Sequence, residues 1–368
     1  MRLAVFIPAH NEERSIAATI EILLCQTRAA DLIVVIADNC SDRTADIART
    51  YPVTVHETVG NRHRKSGALN QAWRLFEVAE RYDLLVGMDA DTTLPPDALE
   101  RWERELADHA DVGGVSAKFT MLPADGDSRW QRLLVRMQKA EFSRWTDQAL
   151  RRKGRWTSVL AGTACCMRVS ALAQIASSRA GEGPWTYDSL VEDFELTYRL
   201  REHGYRCCVS ADVRAYTDAM RGLRSLWAQR MKWQTGTASD LLRFGLNRRT
   251  LMDWWQQGQG LLSSLVRLAW VACTGLAVAL HSFSFHLVWL LPVLVFAAND
   301  VRQSLRVPHR ERADLLLAAV LVPQELMAWL RGAWFLASWC DVVRSRISGR
   351  QRDRWALQYS AEAAKGVN

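Results

Sequence analysis

The chain has 368 residues, 49% of them hydrophobic and 24% charged, with a formal net charge of +7. That length suits a catalytic domain plus an appendage, and the composition excludes both a disordered chain and a protein that is polytopic throughout. The mild basic excess points to an anionic membrane surface or a phosphorylated substrate rather than nucleic acid, because the first half carries no lysine- and arginine-rich stripe with interleaved aromatics.

In chain order, Arg2 to Pro8 reads as a buried strand. The opening MRLAVFIPAHNEE is not a signal peptide, since its apolar run is short and meets charge at once. A turn and an amphipathic helix follow, with Ile16, Ile20, Leu23 and Leu24 on one face. Leu32 to Ala37 is a second strand, ending in Asp38-Asn39-Cys40-Ser41-Asp42. The next helix begins at about Arg43, with Ser41 or Asp42 as its N-cap. Val53 to Glu57 is a third strand, and the basic loop GNRHRKSGALN leads into a helix through Trp73 and Phe76. Leu84 to Met88 is the fourth strand, and it runs straight into Asp89-Ala90-Asp91.

In an extended chain, residues two apart share a side, so Asp89 and Asp91 are able to face one point. Two hard oxygen ligands there suit Mg²⁺ or Mn²⁺. On spacing alone the plainer reading is favoured, a polar strand exit closed by Pro95-Pro96. The surroundings reverse that preference. Strand alternating with helix predicts a parallel sheet with helices on both faces, and ligands gather at the carboxyl ends of its strands. Those ends carry polar clusters at Pro8 to Glu13, Asp38 to Asp42 and Asp89 to Asp91, with Lys65 on the same rim. A diphosphate held by a metal and a lysine accounts for both signs of charge.

Further on, GGVSAKFTM reads as a strand, and residues 128 to 155 space Trp130, Leu133, Leu134, Met137 and Phe142 as a helix does. That helix packs on the domain or lies on a membrane surface. Trp156 to Arg168 contains LAGTACCMR, small residues that suit either backbone approach to a ligand or a packed turn. Glu192-Asp193 precedes a helix carrying Phe194, Leu196, Thr197 and Leu200 and stopped by Gly204. Acids there favour the helix dipole, or one is a general base in a pocket. Cys207 to Ser210 and Ala215 look like a last strand, and Gln229-Arg230-Met231-Lys232-Trp233 sits on the following helix, as a surface patch or as groups that hold a phosphate and stack on a sugar. The eight cysteines include no Cys-x-x-Cys or metal-finger spacing, and the pairs Cys165-Cys166 and Cys207-Cys208 read as small hydrophobes in a reducing cytoplasm.

Taken together, IPAHNEE, ADNCSDRT, RKSGALN, DAD and VED resemble, in order, the motifs of the family 2 glycosyltransferases, over about Leu3 to Gly236. The resemblance implies a GT-A (Rossmann-like) α/β fold, a mixed sheet flanked by helices, over residues 1–240. It implies an inverting enzyme that uses a nucleotide sugar, Mg²⁺ or Mn²⁺. It places Pro8, His10 and Glu12 (or Glu13) near the nucleoside and Asp38 on the uracil. It places Lys65 beside the diphosphate, and makes Asp89 and Asp91 the metal motif, with Asp91 the direct ligand and Asp89 turned to the ribose or a metal-bound water. Asp193 becomes the base. QRMKW is similar to the Gln-x-x-Arg-Trp of the processive branch, the cellulose, hyaluronan, chitin-oligosaccharide and poly-N-acetylglucosamine synthases. That puts Gln229, Arg230 and Lys232 at the diphosphate and Trp233 on the acceptor sugar, with Glu192, Gly162 and Thr163 on the acceptor side. Lysine at 232 keeps the charge but loses the planar fork. The implied donor is a UDP-sugar, first of all UDP-N-acetylglucosamine, and the acceptor a glycan, lipid or protein. The alternatives are a single-sugar transferase acting on a polyprenyl phosphate or protein, a nucleotidyltransferase, and a non-catalytic nucleotide-sugar-binding membrane protein. Nucleotidyl transfer leaves VED and QRMKW without a role.

Residues 241–368 form a C-terminal helical region. Leu261 to Leu280 is apolar apart from Arg267, and Phe283 to Ala298 is a second, shorter segment; together they read as a membrane hairpin over about 261–298. The basic loop from Asn299 to Asp314 faces the cytoplasm, as does the catalytic domain. Asp314 to Trp339 is broken by Pro323, Glu325 and Arg331 and reads as interfacial or re-entrant. Trp254, Trp255, Trp289 and Trp339 favour a membrane interface over the core of a soluble domain. The processive synthases usually carry N-terminal membrane helices as well, whereas this sequence opens on the first strand. Two or three segments make a meagre export channel, which leaves a homo-oligomer or transfer to a lipid or protein without secretion.

Overall fold

A computed structural model of the chain describes residues 1–121, 126–151, 157, 159–180, 182–287, 290–305, 311–350 and 352–363. Contacts divide it into two compact units, Met1–Leu122 with Trp145–Ala219, and Pro123–Arg144 with Met220–Asn368.

In the first unit the strand runs Leu3–Ala9 (β1), Leu32–Ala37 (β2), Thr54–Glu57 (β3) and Leu84–Met88 (β4) pair in parallel. β1 is buried at every position but Pro8, the pattern of a strand covered on both faces. Alternate residues serve opposite layers. Leu3, Val5 and Ile7 pack with Ile16, Ile20, Leu23 and Trp102 from Ile16–Leu24 (α1) and Ala98–Asp108 (α5). Ala4 and Phe6 pack with Ala68, Leu69, Trp73, Val78, Leu172 and Leu196. Those six come from Arg64–Leu75 (α3), Val78–Arg81 (α4), Val169–Ser178 (α7) and Glu192–Glu202 (α8). Leu24, expected on the buried face of α1, is 41% exposed, since at helical spacing it lies round the edge of the stripe. The helix after β2, Thr44–Arg49 (α2), has Arg43 rather than Ser41 or Asp42 at its N-cap, with no side-chain cap hydrogen bond; Asp42 Oδ1 instead accepts the Thr44 N–H at 3.0 Å, one residue further in.

The parallel arrangement stops at β4. Ala164–Arg168 (β6) runs antiparallel to β4 and to Val112–Met121 (β5), and Arg206–Thr217 (β7) lies parallel to β5. The order is β3-β2-β1-β4-β6-β5-β7. The mixed sheet is therefore as expected, but the stretch read as a loop of small residues up to Arg168 is a buried strand over its last five positions. Alanine and paired cysteines fit a crowded central strand as readily as a turn. Residues 152–156 and 158, part of the expected helix and loop there, lie outside the described residues.

The second unit is helical: Arg129–Arg151 (α6, whose last turns fall in the first unit), Leu223–Phe244 (α9), Leu251–Ala279 (α10), Leu290–Ser304 (α11), Arg312–Ala319 (α12), Leu321–Ser348 (α13) and Arg354–Ala363 (α14). Leu134, Met137, Leu226, Met231, Met327, Trp334 and Phe335 form its core. The sequence suggests a boundary at 240. By contact, α9 with QRMKW belongs to the C-terminal helices, because Met231 packs among side chains of α6 and α13.

α10 has 29 residues, and the window that qualifies it for crossing a membrane has mean hydropathy 1.7 and is 6% buried. Among the described residues it is the one unbroken helix long and apolar enough to cross a membrane. Arg267 is accommodated by Glu325 of α13, with Nε 3.5 Å from the carboxylate. The expected hairpin is only half present in this form. Residues 282–286 are not helical, and α11 has 15 residues against the roughly 20 of a span. α12 and α13 meet at a bend of 72°, the geometry of a broken span or a re-entrant loop. Of the tryptophans, Trp255 is 62% exposed, whereas the Trp254 and Trp339 rings lie 6.1 Å apart and pack on each other. Trp289 and residues 306–310 of the basic loop lie outside the described residues.

Trp102 is fully buried against the sheet, so Trp102→Ala is expected to destabilise the first unit by about 3–5 kcal/mol. Denaturant unfolding followed by circular dichroism checks this.

Candidate active site

The site is built on strand ends and on the two loops that answer them. At the end of β2, Asp38 is buried and its Oδ1 accepts hydrogen bonds from Asn39 Nδ2 at 2.9 Å, Thr58 Oγ1 at 2.8 Å and Asn61 Nδ2 at 2.7 Å. His10, from the end of β1, donates through Nδ1 to the Asp38 carbonyl at 2.6 Å. Glu12 is tied down locally: its N–H donates to Thr44 Oγ1 at 2.7 Å, and its carboxylate accepts from Ser15 Oγ at 2.7 Å.

Asn61 organises the basic loop. Its Nδ2 also donates to the Arg64 carbonyl at 2.8 Å, and its Oδ1 accepts the His63 N–H at 2.9 Å. A Cβ at Gly67 would stand 2.0 Å from that Oδ1, which is why the helix after Lys65 needs glycine there. Sequence reading passed over Asn61; an asparagine two to three residues before a helix start was the available signal.

Lys65, at the start of α3, reaches Asp89 Oδ1 at 2.6 Å, Glu192 Oε1 at 3.3 Å and the Gly162 carbonyl at 3.5 Å. Burial works against its charge, but Asp89, then Glu192 and Asp193, outweigh burial and hold the ammonium above its ordinary pKa. Asp89 is placed by the sheet: its N–H donates to the Thr163 carbonyl at 3.0 Å, just beyond the β4–β6 ladder. Asp193 lies in the first turn of α8. Its Oδ2 accepts the Gly162 N–H at 3.1 Å and its Oδ1 the Phe194 N–H at 2.8 Å. Burial first, then the charge of Glu192, pushes the Asp193 carboxyl up to about 6, against the downward pull of the Gly162 N–H and Lys65.

Asp91 accepts two long hydroxyl hydrogen bonds, from Thr92 at 3.3 Å and Thr217 at 3.4 Å. Burial, then the charges of Asp89, Glu12 and Asp218, raise it to about 7. A carboxyl driven towards protonation by other carboxylates marks a place short of positive charge, and its hard oxygens suit Mg²⁺ or Mn²⁺. Among the described residues no three of His, Cys, Asp and Glu close into a metal-holding group. A cation here would therefore take one or two carboxylates, with water and substrate oxygens for the rest.

The structure thus brings Lys65, Asp89, Glu192, Asp193, Gly162 and Thr163 together, with Asp91 alongside and Pro8, His10, Glu12 and Asp38 on the neighbouring strand ends. Gln229, Arg230, Lys232 and Trp233 belong to the second unit, on α9. There Arg230 donates to Gln229 Oε1 at 2.8 Å and to Glu141 Oε2 at 2.9 Å. Its guanidinium lies 5.0 Å from the Phe142 ring centre and 4.5 Å from that of Trp233. The Lys232 ammonium lies 3.3 Å from the ring centre of Trp355 on α14. Both cations expected at the diphosphate are buried and hold aromatic rings within their own unit.

The chain is similar to several known proteins. Relatives include a probable glycosyltransferase, YdaM, of Bacillus subtilis, 27% identical over 66% of this chain. They also include the poly-beta-1,6-N-acetyl-D-glucosamine synthase of Staphylococcus aureus, 23% identical over 66% of this chain. The matched regions span 57% and 56% of those relatives' lengths. Among solved structures, the mannosyltransferase PcManGT from Pyrobaculum calidifontis, in complex with GDP-Man and Mn²⁺, superposes with a TM-score of 0.59 at 20% identity, covering 93% of this chain and 87% of that one; the likeness is one of fold. The profile described as glycosyltransferase like family 2 matches residues 1–236, well over half of the chain, and the protein belongs to that family.

Proposed function

We propose that this chain is an inverting, metal-dependent glycosyltransferase that moves a sugar from a UDP-sugar, with UDP-N-acetylglucosamine as first choice, to a glycan, lipid or protein hydroxyl, forming a β linkage. The observation that carries the reading is the Lys65 ammonium set between Asp89 and the Glu192–Asp193 pair. It puts a cation for a leaving diphosphate beside a half-buried carboxylate that ionises near neutral pH. The relative named for poly-N-acetylglucosamine synthesis supports the sugar, and the fold neighbour with GDP-Man and Mn²⁺ supports a nucleotide-sugar donor and a divalent metal.

The residues divide the work as follows. Asp38, with Oδ1 occupied by three donors, offers Oδ2 to a nucleobase N–H, and His10 and Pro8 shape the same end of the sheet. Asp91 and Asp89 would hold Mg²⁺ or Mn²⁺, which when bound adds charge neutralisation for the diphosphate. Asp193 accepts the proton of the acceptor hydroxyl as that oxygen bonds to the anomeric carbon. The bond from that carbon to the diphosphate breaks on the opposite side, and Lys65 stabilises the charge that leaves. Glu192 and the Gly162–Thr163 loop line the acceptor side; for Trp233, whose ring Arg230 braces, the family resemblance suggests stacking on the acceptor sugar. α10 anchors the protein in a membrane with the catalytic unit in the cytoplasm; its length and exposed apolar surface support this.

Asp193→Asn is expected to cut sugar transfer by about 100-fold or more while leaving UDP binding intact, measured by product mass spectrometry and calorimetry. Asp193 works only when ionised, so turnover should climb as pH rises through about 6 and level off above it; a rate that falls across that range would contradict the assignment. Removing divalent cations should stop turnover, Mn²⁺ should restore it, and Asp91→Asn should weaken Mn²⁺ binding in titration calorimetry. A panel of UDP- and GDP-sugars, with product sizing, separates a polymer from a single transfer and identifies the donor.

A further inference from the structure

The segment Leu160-Ala161-Gly162 crosses the floor of the site without belonging to a strand, since the β6 ladders begin at Ala164 with β4 and Cys165 with β5. Its three consecutive N–H groups are all captured by side chains. The Leu160 N–H donates to Thr197 Oγ1 at 2.8 Å, the Ala161 N–H to Ser116 Oγ at 3.1 Å, and the Gly162 N–H to Asp193 Oδ2 at 3.1 Å. Thr197 and Ser116 are both fully buried. Thr197 sits one turn after Asp193 on α8 and donates its hydroxyl proton to the Asp193 carbonyl at 2.6 Å. One hydroxyl therefore ties the helix turn that carries the carboxylate to the segment that holds it.

We propose that Thr197 and Ser116 are positioning residues for the transfer reaction: they pin residues 160–162, and through Gly162 they aim Asp193 and seat Lys65. The inference rests on the reading of Asp193 as the base. Gly162 shows how little room there is. A Cβ there would lie 3.1 Å from Lys65 Nζ and 3.5 Å from Asp193 Oδ2, while its carbonyl accepts from Lys65 at 3.5 Å. Threonine suits position 197 because a helical threonine hydroxyl readily bonds the carbonyl four residues back, leaving its lone pairs to receive an incoming N–H. Serine at 116 is placed by β5, so the two anchors come from different elements and fix the segment at successive residues. Valine at 197 keeps the shape and removes both bonds. The segment then loses its anchor, and the Gly162 N–H drifts from Asp193. The Asp38–Asn61 cluster at the other end of the sheet is untouched.

The test uses the full chain with Mn²⁺ and UDP-N-acetylglucosamine, following UDP release, with UDP binding measured by calorimetry. Thr197→Val is expected to lower kcat by about 10- to 100-fold, the scale of a misplaced catalytic group, with donor KM and UDP affinity little changed. Thr197→Ser, which restores the hydroxyl, should return most of kcat, and Ser116→Ala should lower kcat in the same sense. Should Thr197→Val fail to fold, Ser116→Ala and Thr197→Ser carry the comparison. Unchanged kcat in the folded variants, a parallel rise in KM, or no rescue by serine overturns the proposal. Asp193→Asn is run alongside: turnover retained there refutes the base reading itself, whereas an inactive Asp193→Asn beside a fully active Thr197→Val refutes only the positioning role.

Discussion

Lys65 is the group on which the site depends. Three acids from two elements, Asp89 at the end of β4 and Glu192 and Asp193 at the head of α8, would repel one another in a partly buried space. The ammonium lies within hydrogen-bonding or ion-pair distance of Asp89 and Glu192, and its charge also reaches Asp193. One cation does not balance them all. Burial first, and neighbouring carboxylates second, push Asp193 and Asp91 upward from the ordinary carboxylate range, the neighbour being Glu192 for Asp193 and Asp89, Glu12 and Asp218 for Asp91. Further positive charge would favour the ionised form of both carboxyls. A divalent cation entering with a diphosphate would supply that charge, and the lysine would then serve phosphate oxygens as it serves carboxylates here.

The second unit follows a different logic. Its cations are matched to rings: Arg230 lies against Phe142 and Trp233, and Lys232 against Trp355. Glu141 supplies the matching charge for Arg230. These contacts hold α9 to α6 and α14, so the aromatic and basic residues of QRMKW stabilise their own unit whatever they do for a ligand. α10 is the reverse case, an apolar helix with almost nothing packed on its qualifying window, and its single arginine is met by Glu325 rather than left bare.

Much of the fold was legible because buried parallel strands are written as unbroken apolar runs, and β1, β2 and β4 emerged within a residue of where they lie. The strand-end acids were legible for the same reason, since charge is conspicuous where an apolar run stops. β6 was not. ACCMR has neither the length nor the β-branched residues that announce a strand, and it becomes one because β4 and β5 present unpaired edges on either side. The roles of Ser116 and Thr197 were also hidden. A polar side chain that satisfies a backbone N–H across 37 or 45 residues leaves no local pattern.

By itself the sequence determined most elements of the first unit, β6 excepted, the family motifs and the chemical types gathered at the rim, because periodicity and composition are local properties. Tertiary structure alone decided which acids share Lys65, that Asp193 is held through Gly162, and that α9 packs with the C-terminal helices. It also decided that, among the described residues, the apolar C-terminal third contains one unbroken helix long and apolar enough to span and a pair bent by 72°. The reason is common to all of these. Charge pairing, pKa and helix partnership depend on distances between residues far apart in the chain, and those distances exist only once the sheet is assembled.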